Sequence, residues 1–70
     1  MNDRVANNVK ERRTGAGFTQ EELASAMGVS RQTIISIERG KYIPSLPLAL
    51  KLARFFKCPA DDLFTIEKGE

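Results

Sequence analysis

The chain has 70 residues, of which 41% are hydrophobic and 29% charged, and its formal net charge is +2. A chain of this size and composition folds around one small core. We therefore expect a single domain spanning residues 1–70, with its core at about 5–64 and a short tail at 65–70. One cysteine and no histidine exclude an internal disulfide, a zinc cluster and a histidine-based catalytic triad. We predict no catalytic residue, no metal and no cofactor.

The hydropathy and the charge distribution of the chain indicate which kinds of partner it can bind. No stretch reaches the roughly 18 consecutive apolar residues that span a bilayer, and the polar start at residues 1–4 is unlike a signal peptide. The predicted location is the cytoplasm, without a membrane partner. Four of the five charged side chains in residues 58–70 are acidic, so the part before them is mildly basic. This distribution is compatible with a polyanionic partner.

The first predicted helix covers about residues 3–13. Val5 and Val9 are four residues apart, which places their side chains on one helical face. The segment at 14–17 contains two glycines, and glycine in this context stops a helix.

The next two helices are predicted from their capping residues. Thr19 and Glu22 have the spacing of a capping box, in which each side chain accepts from the backbone amide of the other. Gly28 then interrupts the chain. Ser30 is a good N-cap for a third helix, which ends at Gly40, where glycine takes the left-handed conformation.

A fourth helix is predicted from Ser45 to about Phe56, followed by a last turn or two. Its apolar residues extend beyond one face, with Leu48 and Phe55 outside the core stripe, which indicates a second neighbour. The segment at 64–66 is the one that suits a strand. The predicted fold class is all-α.

The third helix has two chemically different sides. At 100° per residue, Ile34 and Ile37 point to one side. The opposite side is short, polar and rich in hydrogen-bond donors, and comprises Gln32, Ile35, Ser36 and Arg39, with Arg31 in the first turn. Arginine pairs with guanine and glutamine with adenine in the DNA major groove. Any surface helix shows polar residues to water, but the short glycine-containing turn at 27–29 favours a DNA-binding helix-turn-helix.

The chain resembles the XRE family, the Cro and phage-repressor-like helix-turn-helix regulators, in the segments FTQEELA (18–24), GVSRQTI (28–34) and IERG (37–40). The resemblance covers about residues 5–64. It implies a five-helix, lambda-repressor-like domain whose second and third helices form the helix-turn-helix. It also implies a homodimer on double-stranded operator DNA.

The same resemblance implies roles for particular residues. Base contacts are expected from Arg31, Gln32 and Ser36. Contacts with DNA phosphates are expected from Gln20, Ser30, Arg39, Lys41 and Tyr42. Arg13 and Glu38 match a pair that links the first helix to the third inside the fold.

One short helix reads only a few base pairs, so a two-fold dimer with half-sites about 34–36 Å apart is expected. The apolar residues of the fourth helix that lie outside its core stripe need a further surface to pack against. We predict that Phe55, Leu63, Phe64 and Ile66 contribute to the dimer interface.

Three interpretations of function differ in their support. The first is a sequence-specific transcriptional regulator, with repression by obstruction of RNA polymerase as its simplest output. The second is an antitoxin-like module that binds a toxin partner and its own promoter, with the tail at 65–70 as a minimal toxin-binding extension. An enzyme has little support, because Asp61 and Asp62 suit the first turn of a helix better than an acid/base pair.

Overall fold

The computed structural model describes residues 4–67. In chain order their elements are β1 (Arg4–Asn7), α1 (Val9–Gly15), α2 (Gln20–Met27), α3 (Arg31–Glu38), α4 (Leu46–Phe55), α5 (Ala60–Leu63) and β2 (Phe64–Glu67). The two strands pair antiparallel, with Arg4 opposite Glu67 and Asn7 opposite Phe64. We call this pair the terminal ribbon. The described part is mostly helical and has five helices, as predicted, and the terminal ribbon is a small two-stranded sheet that the predicted all-α class does not include.

The predicted first helix is wrong over its first half. Val5 lies in β1, opposite Ile66, and the helix begins only at Val9; residue 3 lies outside the described part. Asn8 separates the two elements with a non-helical φ of −119° and ψ of 33°. Valine is at ease in a strand because its branched side chain packs well against a cross-strand neighbour. β2 supplies that neighbour and takes in residues 65–67 of the predicted tail.

The core lies between the helices. Its most completely buried large side chains are Val9, Leu23, Ile34, Ile37, Leu52 and Leu63. On α4, Leu48 is buried, whereas Leu46 is 71% and Leu50 52% exposed. Leu48 and Leu52 are four residues apart and therefore share the face that packs inward. The prediction that Leu48 lies outside the core is wrong.

The predicted helix starts are confirmed by their hydrogen bonds. The Glu22 amide donates to Thr19 Oγ1 over 3.0 Å, and the Thr19 amide donates to Glu22 Oε1 over 2.9 Å. Ser30 and Ser45 accept from the amides of Thr33 and Leu48 in the same way. These bonds satisfy amides that a helix leaves free in its first turn.

Asn7 joins the terminal ribbon to the end of α3. Its Nδ2 donates to the Ile37 carbonyl oxygen over 2.9 Å, while its Oδ1 accepts from the Val9 amide over 3.0 Å. The first bond satisfies a carbonyl in the last turn of α3, and the second satisfies an amide in the first turn of α1. One side chain thereby ties three elements together.

The substitution Asn7→Ala is expected to lower the free energy of unfolding by about 1–3 kcal/mol, because it removes the acceptor of the Val9 amide and one of the two hydrogen bonds to the Ile37 carbonyl. Urea denaturation measures the loss. Thr65→Ala is the matched control, since Thr65 is exposed on β2 and its loss should be within about 0.5 kcal/mol of zero. Equal midpoints for the two variants would contradict the role of Asn7.

Candidate nucleic-acid interface

Two short helices and a tight turn form the centre of the site. α2 ends at Gly28, which has a left-handed φ of 74°, a conformation that glycine adopts without the steric penalty of a Cβ. The Val29 amide donates to the Ala24 carbonyl over 3.0 Å and closes the end of α2. Ser30 then caps α3. The turn between the helices is therefore short and rigid, as in a helix-turn-helix.

The packing of α3 leaves its polar side outward. Ile34 and Ile37 are fully buried, in the same core cluster as Leu23 and Met27 of α2. Arg31 and Gln32 are exposed at the first turn, and Ser36 is half-buried one turn further on. The structure thus brings together on one side of α3 the three residues that the sequence predicts as base contacts. Ile35 is half-buried beside them.

The end of α3 fixes the position of the loop that follows. Gly40 has a φ of 73°. Its amide donates to the Ile37 carbonyl oxygen, and the Lys41 amide donates to the Ser36 carbonyl oxygen over 2.9 Å. This pair of bonds is a Schellman motif. Lys41 and Tyr42 are exposed directly after it, next to the polar side of α3.

A buried ion pair anchors the C-terminal turn of α3. Arg13 Nε donates to Glu38 Oε2 over 2.6 Å, and the two side chains are 9% and 4% exposed. Arg13 also donates to the Phe18 carbonyl over 2.9 Å, and Gln20 Nε2 donates to Glu38 Oε1 over 3.1 Å. The predicted link between α1 and α3 is confirmed, and α2 joins it through Gln20.

Two of the predicted phosphate ligands already have internal partners. The Gln20 amide group donates to Glu38, and Ser30 Oγ accepts from the Thr33 amide and shares a hydrogen bond of 2.9 Å with Thr33 Oγ1. Both positions are at helix N-termini, where backbone amides point outward and bind anions well. Arg39, in contrast, is exposed at the C-cap of α3.

A contact that was not predicted from the sequence supports the turn between α2 and α3. Lys51 Nζ, on α4, donates to the Met27 carbonyl oxygen over 3.0 Å. A cation at this place complements the negative end of the α2 dipole and satisfies a free carbonyl. The contact spans 24 residues of sequence, so no local pattern indicates it.

The predicted dimer residues do not share one surface. Leu63 is 1% exposed, so its side chain belongs to the core of one chain, and its prediction as an interface residue is wrong. Phe55 packs on Phe18, with ring centroids 5.1 Å apart, and lies about 140° around α4 from Leu50 at 100° per residue. Ile66 is 72% exposed and Phe64 is half-buried. Phe64 and Ile66 are two residues apart in β2, so their side chains point to the same face of the strand.

Neither a membrane span nor a metal cluster is found in the described part. No helix within residues 4–67 is long and apolar enough to cross a membrane. Over the same residues, no three side chains of the histidine, cysteine, aspartate and glutamate types are grouped to hold a metal ion.

The geometry defines a helix-turn-helix protein, and comparison with known proteins gives the family. A family model described as "Helix-turn-helix" matches residues 9–63. The chain is 53% identical over 66 residues to an uncharacterized HTH-type transcriptional regulator of Methanocaldococcus jannaschii, covering 94% of this chain and 100% of that one. It is 47% identical over 64 residues to the uncharacterized HTH-type regulator YgzD of Bacillus subtilis, covering 91% and 97%.

A solved structure agrees with this assignment. The restriction-modification controller protein C.AhdI from Aeromonas hydrophila superposes with a TM-score of 0.70 at 35% identity, covering 77% of this chain and 82% of that one. The chain belongs to the XRE family of Cro-type helix-turn-helix DNA-binding transcriptional regulators.

Proposed function

We propose that this chain is a sequence-specific repressor that binds a palindromic operator in double-stranded DNA as a homodimer in the cytoplasm. The observation that carries the proposal is the exposed polar side of α3, held outward by a rigid turn on one end and a buried ion pair on the other. Arg31, Gln32 and Ser36 read base edges in the major groove. Repression follows when a bound dimer blocks RNA polymerase at the operator.

The residues proposed to contact phosphates lie around the exposed polar side of α3, which we call the reading side. Lys41 and Tyr42 follow the end of α3, Arg39 lies at its C-cap, and Gln20 and Ser30 mark the N-terminal ends of α2 and α3. These positions surround the base-reading residues. Contacts of this kind fix the register of a protein on DNA without reading the sequence.

An exposed apolar surface supports the homodimer. A groove of about 420 Å³ has Val5, Ile43, Leu46 and Phe64 in its wall. Ile43 is 62% and Leu46 71% exposed. Leu50 follows Leu46 by one turn on the same face of α4, and Ile66 is paired with Val5 across the ribbon. An exposed apolar surface of this kind marks an interaction site.

The proposed interface is therefore centred on this groove. It keeps Phe64 and Ile66 from the sequence prediction and adds Val5, Ile43, Leu46 and Leu50. A two-fold axis presents the same surface from both copies, so the protruding Ile66 and Leu46 of one copy face the groove of the other. The interface then has the symmetry of a palindromic operator.

The substitution Ile66→Glu is expected to convert the dimer to a monomer, because it places a charge in a buried apolar contact. Light scattering at micromolar concentration measures the mass. Thr65→Glu adds the same charge on the opposite face of β2 and should stay dimeric. Parent protein that is monomeric under these conditions, or equal masses for the two variants, would contradict the interface.

Selection from a random duplex library at near-physiological salt, followed by sequencing, tests the proposed function. The expected product is an inverted repeat with half-sites one helical turn apart. A folded protein that enriches no sequence would contradict sequence-specific regulation, and enrichment of a single half-site would contradict the dimer.

A further inference from the structure

A second concave surface lies beside the reading side of α3, between α3 and α1. It has a volume of about 300 Å³ and is lined by Lys10, Gln20, Arg31, Ile35, Glu38 and Arg39. We call it the basic concavity. Lys10, on α1, is a residue to which neither the sequence analysis nor the proposed function gives a role.

The charge of the basic concavity is unbalanced. Lys10, Arg31 and Arg39 are exposed cations. Glu38 is its acidic member, but the carboxylate is 4% exposed and already accepts from Arg13 and Gln20. Within residues 4–67, the ion pair formed is Arg13–Glu38. The three exposed cations therefore keep their charges for a ligand.

The spacing of these cations indicates an extended anion. Arg31, Ile35 and Arg39 are four residues apart and form one row, because the C-cap Arg39 keeps helical angles of φ −85° and ψ −1°. At 1.5 Å per residue, the Cα atoms at the two ends of the row are about 12 Å apart. Lys10 faces this row from α1. A row of this length suits successive phosphates of a nucleic acid strand better than one small anion.

Lys10 is fixed in position by the same contacts that anchor α3. It precedes Arg13 by three residues, so the two side chains lie on one face of α1, and Arg13 is bonded to Glu38 at the end of α3. The ion pair thus holds the Lys10 side of α1 against the recognition helix. This geometry places a cation beside the reading side without any contact of its own to α3.

We propose that Lys10, together with Arg39, binds backbone phosphates of the DNA strand that flanks the bases read by α3. The inference rests on the proposed function and extends the DNA-contacting surface from the helix-turn-helix to α1. Arg31 keeps its role in base reading and adds its charge to the field. Lys10 supplies affinity and register but no sequence preference.

The test compares Lys10→Gln with Lys57→Gln in equilibrium binding to the selected duplex and to a random duplex over a range of salt concentrations. Lys57 is an exposed lysine in the turn after α4, outside the basic concavity and outside the proposed dimer interface, and its variant loses the same charge. Each lost phosphate contact makes the log–log salt slope shallower by about 0.9, so a substitution present in both copies of the dimer makes it shallower by about 1.8. We expect that change for Lys10→Gln only, with equal loss of affinity on both duplexes.

The outcomes separate the inference from the proposed function. If the parent binds the selected duplex and Lys10→Gln keeps the parent slope, Lys10 does not bind phosphate and the inference is wrong, while the proposed function stands. If Lys10→Gln weakens binding to the selected duplex alone, the residue reads bases and the inference is also wrong. If the parent prefers no duplex at any salt concentration, both are wrong. Matching thermal melts of parent and variants establish that each is folded.

Discussion

Replacing Glu38 with alanine is expected to lower the free energy of unfolding by about 3–5 kcal/mol, the range for breaking a buried ion pair from one side. Arg13 is 9% exposed and would keep its charge in the interior without a counter-ion. Gln20 would lose its acceptor as well. For a chain of this length each kcal/mol shifts the melting temperature by about 4–8 °C, so a thermal melt detects the loss readily.

Two further variants isolate the cause of this loss. Glu38→Gln keeps an oxygen that accepts one hydrogen bond while removing the charge, and its stability should fall between those of Glu38→Ala and the parent. Glu21→Ala removes an exposed carboxylate from α2 and should change stability by less than about 0.5 kcal/mol. If Glu38→Ala and the parent have the same melting temperature, the Arg13–Glu38 ion pair does not stabilise the packing of α3.

The second large effect is expected at the reading side. Gln32→Ala should cost about 1–3 kcal/mol of binding free energy at particular base pairs, because a bidentate contact with a base is worth that much discrimination. Lys41→Ala should weaken binding to all sequences by a similar factor and make the salt slope shallower by about 1.8, since each copy in the dimer loses one phosphate contact. Fluorescence anisotropy with the selected operator and with single-base variants of it measures both changes.

The pattern of these two losses matters more than their size. A base-reading residue changes the ranking of operator variants, whereas a phosphate-binding residue leaves the ranking intact. Both side chains are exposed, so neither substitution should disturb the fold. Equal loss on every sequence for Gln32→Ala would show that Gln32 does not read bases.

These two predictions describe opposite ends of one helix. The C-terminal turn of α3 is bonded to α1 through Arg13, to α2 through Gln20 and to the terminal ribbon through Asn7. Its N-terminal turn carries the exposed Arg31 and Gln32. A recognition helix bonded to its neighbours at its C-terminal turn and capped by Ser30 at its N-terminal end holds its reading residues in a defined orientation, which reduces the cost of ordering them on binding.

The helix starts were predictable because their signals are local. Each capping bond joins residues three positions apart, as in the pair Thr19 and Glu22. The Arg13–Glu38 pair spans 25 residues and came from the family resemblance, since nothing in the spacing of the two residues indicates it. Capping residues close together in the sequence thus predict where helices begin, whereas contacts between residues far apart in the sequence cannot be predicted from local spacing.

The terminal ribbon was not predictable from the pattern of β1. Val5 and Val9 have a helical spacing, but the partner that turns Val5 into a strand residue is Ile66, at the other end of the described chain. The error at Leu63 has a related cause. A residue near a chain end looks available for an interface, whereas the one-turn helix α5 directs Leu63 into the core.

Lys57 adopts a backbone conformation that glycine usually takes at the end of a helix. The residue has a φ of 56°, in the left-handed region where glycine is preferred at the end of a helix. It follows α4 directly, and the Cys58 amide donates to the Ala53 carbonyl over 3.0 Å. The chain accepts a strained lysine where glycine is common, and the turn after α4 keeps its hydrogen bonds.

The measurement that tests the account most directly is the affinity for the selected operator compared with the same operator carrying five extra base pairs between its half-sites. Half a helical turn places the two half-sites on opposite sides of the duplex, so a two-fold dimer cannot read both. We predict that affinity for the extended operator falls to within a few-fold of that for random DNA, a loss on the order of 10³-fold or more. Unchanged affinity would contradict a dimer that reads the operator through two recognition helices.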